Sequence, residues 1–178
     1  MSTVIRRALL LTALLLAGCV SALRAQDIRG RYVVRQEEDG TIYHTLPVTL
    51  FEREESGDLT FDITYKTGRD GRATLNFTFR MGEPTPLDSV CFRSGRTTIS
   101  GPVKRFYVEP SKREWVHRYS LEAAVEPFYR FFDAEAEASV TLYSGGRAYR
   151  YEARRRAWRV YAPVGFRIFE MIRCNEAE

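Results

Sequence analysis

Cysteine, histidine and long apolar runs are scarce in this chain, and each scarcity removes a class of function. Among 178 residues there are three cysteines and two histidines. Cys19, Cys91 and Cys174 stand far apart and form no CxxC pair, so a redox dithiol or zinc site lacks the local spacing it needs. His44 and His117 belong to no HExxH pattern. A metal would have to gather His44, His117, Asp62, Cys91 and Cys174 from separate segments. No metal and no cofactor is expected. A GxSxG elbow is missing, and neither Cys91 nor Cys174 lies in a catalytic-cysteine signature, which leaves nucleophilic catalysis without a motif. Gly68-Arg69-Asp70-Gly71 and Gly145-Gly146 match no phosphate loop and read as turns. Internal repeats, low-complexity tracts and interdomain linkers are absent. The apolar stretch at residues 8–17, broken by Thr12, falls well short of the roughly 20 residues that a membrane-spanning helix takes.

That stretch fits another role. Residues 1–7 carry Arg6 and Arg7 and no acid, and the apolar segment after them suits the h-region of an export signal. Directly after it, Leu16-Ala17-Gly18-Cys19 resembles the lipobox of bacterial lipoproteins. The resemblance implies diacylation of the Cys19 thiol, cleavage before it, and a lipid that holds the protein on a membrane of the cell envelope. A rival site lies downstream, where Leu23-Arg24-Ala25 precedes Gln26 and suits ordinary signal peptidase. Cleavage there gives a soluble periplasmic or secreted protein. Residues 1–25 are set apart as signal peptide and short tether, and residues 26–178 as a single globular domain. The mature chain holds 160 residues from Cys19 or 153 from Gln26, enough for a real core. Its ten Tyr, eleven Phe and two Trp argue for packed structure, not disorder.

The net charge of +4 falls to +2 once Arg6 and Arg7 leave with the signal, so no nucleic-acid partner is expected. The distribution says more than the sum. Residues 37–58 carry Glu37, Glu38, Asp39, Glu52, Glu54, Glu55 and Asp58 against Arg53 alone. Residues 147–174 hold eight arginines against Glu152 and Glu170. The densest group is Arg154, Arg155, Arg156 and Arg159. It reads either as an anion-binding cluster or as a solvated helix face paired with the acidic loops.

Alternation of apolar and polar residues marks strands. It is clearest at residues 57–81. Leu59, Phe61, Ile63 and Tyr65 alternate with Thr60, Asp62, Thr64 and Lys66. Beyond a glycine-bearing turn, Ala73, Leu75, Phe77 and Phe79 alternate with Thr74, Asn76, Thr78 and Arg80. Further strands are expected over 30–36, 41–51, 88–93, 96–100, 103–109 and 113–120. Pro47 signals an edge, a bulge or a break in the second of these. Pro127 suits the first turn of a helix near 125–136. A hairpin follows around residues 144–147. The tail is helical, with Trp158, Tyr161, Ala162, Gly165, Ile168, Phe169 and Ile172 on one stripe and Pro163 set to kink or divide it.

The expected fold is α+β: an antiparallel meander of about seven strands, then helix, β-hairpin and C-terminal helix. The alternative is a barrel with flanking helices. Gly30-Arg31-Tyr32 is similar to the Gly-x-Trp that opens the first strand of lipocalin-like barrels, and that resemblance implies a carrier of a small apolar ligand. In function the chain reads as an exported, non-catalytic binding or interaction module with a protein or ligand partner, and as an envelope hydrolase using Asp62 or a histidine in the alternative. His44 is placed on the apolar face of its strand between Ile42 and Leu46, as a core imidazole. His117 shares a face with Trp115 and Tyr119. Asp62 lies on the Thr60/Thr64 face, with Asn76 and Arg80 opposite. Cys91 and Cys174 form a disulfide or stay as two thiols, since an exported compartment permits either.

Overall fold

A computed structural model describes residues 28–54, 57–68 and 71–176. The expected signal peptide and Cys19 lie outside the described residues. Eleven strands form one antiparallel sheet: β1 (Tyr32–Glu37), β2 (Gly40–Thr45), β3 (Val48–Arg53), β4 (Gly57–Lys66), β5 (Arg72–Met81), β6 (Ser89–Ser94), β7 (Thr97–Pro102), β8 (Lys104–Ser111), β9 (Glu114–Ala124), β10 (Ala138–Ser144) and β11 (Arg147–Ala153). A one-turn helix α1 (Phe128–Phe131) precedes β10, and a long helix α2 (Arg155–Glu176) ends the chain. The helix expected near 125–136 is therefore only four residues long. Phe132 already leaves the helical region at ψ 64°, and the chain turns through Asp133 into β10.

The strand order is β7-β6-β10-β11-β3-β4-β5-β9-β8, with the β1–β2 hairpin attached to β4. This corrects the meander. The late hairpin β10–β11 inserts between β6 and β3, because β10 pairs with β6 over six residues while β11 joins β3 at Glu52 and Phe51. The sheet curls until β7 lies against β9. A Cβ on Gly101 would stand 3.0 Å from Leu121 Cδ1, so the two strands meet there backbone to side chain. The result is a nearly closed, barrel-like sheet with a C-terminal helix, which fits the alternative reading of the fold.

Pro47 breaks residues 41–51 into β2 and β3. Both lie along the same edge of β4, β2 against residues 64–66 and β3 against 57–61. The proline has no N–H for the ladder, and the sheet divides at that point. The break also inverts the expected faces. Tyr43 pairs with inward-facing Tyr65, so Tyr43 and Thr45 point into the core, while His44 and exposed Leu46 point outward. His44 is thus not on the core face. The intrinsic pattern of Ile42, His44 and Leu46 yields to the register dictated by the longer, more apolar β4.

The inner face is aromatic. Phe51, Phe61, Phe77, Phe92, Phe131 and Phe132 are buried and linked edge to face or stacked, with Phe92 within 6.4 Å of four of the others. Helix α2 fills the concave side. Trp158 meets Phe51, Tyr161 meets Phe61, and Phe169 stacks on Phe128 at 5.2 Å. At its far end Asn175 donates to the Tyr43 hydroxyl at 2.9 Å and Glu176 accepts from Tyr65. The stripe expected from the 3.6-residue period is the buried one, with Val164 added. Pro163 does not divide the helix, which is continuous over its 22 residues.

Candidate functional site

The side chains singled out in the sequence lie in three separate places. The first is the outer face of β4, β5 and β9. Asp62 is nearly buried there, and both its oxygens are engaged: Asn76 Nδ2 donates to Oδ2 at 2.8 Å and Arg118 donates to Oδ1 at 2.8 Å. Asn76 is directly opposite Asp62, as its strand spacing implies. The charge partner is Arg118, two strands away on β9, not Arg80, which reaches Ser111 instead. Arg118 also donates to Thr78 at 2.9 Å, and Thr49 bonds Thr60 at 2.7 Å. His44 Nδ1 lies 3.0 Å from the Thr64 hydroxyl on this same face. The face is a hydrogen-bonded polar sheet surface, and its carboxylate and imidazole do not converge on a common point.

His117 is elsewhere, on the inner side of β9 and fully buried. It stacks on Phe79 at 4.8 Å. The backbone dictates its tautomer. The Trp115 carbonyl, 3.0 Å from Nδ1, requires a proton there, which leaves Nε2 to accept from the Thr85 N–H at 3.1 Å. Tyr119 takes the next amide, with Leu87 N–H donating to its hydroxyl at 3.3 Å. Together they pin residues 82–88, a loop with two prolines, across the core. Burial pushes the His117 pKa below the ordinary histidine value, and the hydrogen bond to Trp115 only partly offsets this.

The third place is the N-terminal half of α2. The four arginines read as one cluster are split by the helix. Arg154 and Arg156 face the groove between α2 and β3, while Arg155 and Arg159 face a polar hollow with Glu135, Glu137 and Glu152. Arg154 bridges Glu52, at 2.6 Å, and Asp58, which ties the helix start to the acidic turn. Arg159 stands 3.5 Å from Glu135. Trp158 is buried beneath them and donates to the Asp133 carbonyl at 2.8 Å.

The groove between α2 and β3 has a volume of about 480 Å³, within the range of small-molecule sites. Val48, Leu50, Ala157, Val160 and Val164 make its walls, and Arg31, Arg154 and Arg156 its rim. Tyr161 also lines it. Its hydroxyl is buried beside that of Thr45, which accepts from the Ile63 amide at 2.7 Å and keeps its own O–H to share with Tyr161. Burial pushes the Tyr161 hydroxyl up to about 12, so it is a neutral donor near neutrality. Pattern reading missed this groove because Arg31, Val48 and Val160 belong to three elements. The signal available was Val160, an apolar residue on the polar side of the helical wheel, which is 57% exposed.

Cys91 on β6 and Cys174 in the last turn of α2 are free thiols and are not bridged. Among the described residues no three His, Cys, Asp or Glu side chains are grouped to hold a metal ion, and no helix is long and apolar enough to cross a membrane. No protein-family model matches the chain, and no curated protein is significantly similar to it in sequence.

Proposed function

We propose that this chain is an exported, lipid-anchored binding module of a bacterial cell envelope, and that its binding face is the groove between α2 and β3. The observation that carries the reading is the groove itself: an apolar concavity with a cationic rim and an exposed valine at its lip. The hydrolase reading draws less support. Asp62 is held by Asn76 and Arg118, and both ring nitrogens of His117 are engaged with backbone groups, so neither presents a free base to a cleft. A carrier with its ligand inside the barrel is also disfavoured, because α2 and the aromatic layer fill that space.

The export and anchoring half of the proposal rests on Leu16-Ala17-Gly18-Cys19. Intact mass of the protein from a membrane fraction tests it. A diacylated N-terminal Cys19 is expected, and Cys19→Ala should release the protein from the membrane. A mature chain that begins at unmodified Gln26 would remove the anchor.

A further inference from the structure

We infer that the groove between α2 and β3 binds a single-chain anionic amphiphile of the fatty-acid type, with its acidic head on the rim arginines and its tail between Val48, Leu50, Val160 and Val164. The inference deepens the binding-module reading and rests on it, but does not need the lipid anchor.

Two independent features specify the chemistry. The walls are aliphatic, contributed by β3 on one side and α2 on the other, and suit a flexible alkyl chain better than a flat ring or a sugar. Val160, the outer lip, exposes 57% of its surface, and an alkyl tail laid along it would cover apolar area that now meets water. The rim is cationic. Arg154 is largely neutralised by Glu52 and Asp58, so the uncompensated positive charge comes from Arg156, which has no ion pair among the described residues. Arg31 stands across the groove near Tyr161. The start of α2 adds the partial positive charge of its free amides on the same side. A cationic ligand would meet repulsion here, and a neutral one would leave the arginines unused. A second hollow carries Glu52, Glu54, Asp58 and Glu152 against Arg53 and Arg150, and Arg154 pairs with its Glu52 and Asp58.

The experiment is calorimetric titration of the full mature protein with dodecanoate below its micelle concentration, with dodecyltrimethylammonium as the same tail under the opposite charge. Saturable one-to-one binding of dodecanoate is expected, with the cation at least about tenfold weaker. Arg31→Gln with Arg156→Gln should weaken dodecanoate by about tenfold, the size of one or two lost charge-assisted hydrogen bonds. Val160→Glu, at an exposed position that tolerates charge, should weaken it by a similar factor while thermal stability is kept. Equal binding of the two charges, or dodecanoate binding that ignores both Val160→Glu and the double arginine variant, would overturn the assignment. So would attachment to phosphatidylglycerol vesicles without binding of monomeric dodecanoate, which would mark a bilayer-facing surface instead. Failure here with acylated Cys19 intact would remove the ligand and leave the envelope reading standing.

Discussion

His117 shows how a single side chain can look catalytic and be structural. A lone imidazole flanked by aromatics is a plausible base in a sequence. In the fold its two nitrogens close a bridge between β9 and the loop at residues 82–88. That role depends on a neutral ring, because a second proton on Nε2 would face the Thr85 N–H. Since its folded pKa is depressed, the unfolded chain binds more protons below the ordinary histidine value of 6.5. Its contribution to stability is then fully present above pH 6.5 and is lost as pH falls through the folded value. Thermal melts of the parent and of His117→Gln between pH 7.5 and pH 5 read this out. The glutamine variant should be less stable at neutral pH by about 1–3 kcal/mol and should lose less on acidification. Parallel pH profiles would show that His117 binds protons equally in the folded and unfolded states, which would overturn this reading.

Among the elements, α2 is the one that covers the concave face of the sheet. It supplies eight buried residues to a concave sheet that would otherwise leave an aromatic face open. It approaches Phe132 closely at Gly165. A Cβ there would stand 2.6 Å from two carbons of the Phe132 ring. Phe132 is itself wedged against Trp158, Tyr161 and Phe169 and has little room to yield. Gly165→Ala should therefore be destabilising by about 1–2 kcal/mol, since overpacking outweighs the better helix propensity of alanine. Chemical denaturation checks this, and a more stable variant would mean that α1 can shift. Trp158→Ala belongs to the same packing and should cost about 3–5 kcal/mol. Replacing the exposed Arg156 and Arg159 by Gln should barely change stability, because solvent-exposed ion pairs contribute little.

For the whole molecule, sheet and helix are expected to unfold as one cooperative unit. The barrel-like sheet does not close by hydrogen bonds alone, and α2 lies across the inner face of β2, β3 and β4. A chain ending at Ala153 would present Phe51, Phe61, Phe132 and Tyr65 to water. It is expected to lose near-ultraviolet circular dichroism and its cooperative thermal transition while keeping β-type far-ultraviolet signal. A sharp melt from the shortened chain would show that the sheet is a domain in its own right and α2 an accessory.

Local periodicity along the chain carries part of this fold. The β4–β5 hairpin, with Phe61 inside and Asp62 outside, follows from a two-residue alternation that any register must respect. The buried stripe of α2 follows in the same way from the helical period. Pro47 announced its break through a missing backbone donor. The remainder depended on contacts between residues remote in the chain, which no local pattern encodes. The place of β10–β11 between β6 and β3 is such a contact, and it turned an apparent meander into a curled sheet. The outward face of His44 was settled by Tyr43 meeting Tyr65, and the partner of Asp62 by Arg118 arriving 56 residues later on β9. The groove has the same origin: Arg31, Val48 and Val160 carry no shared pattern along the chain, and they line one cleft only because α2 folds back across the sheet to the edge where β2 ends and β3 begins.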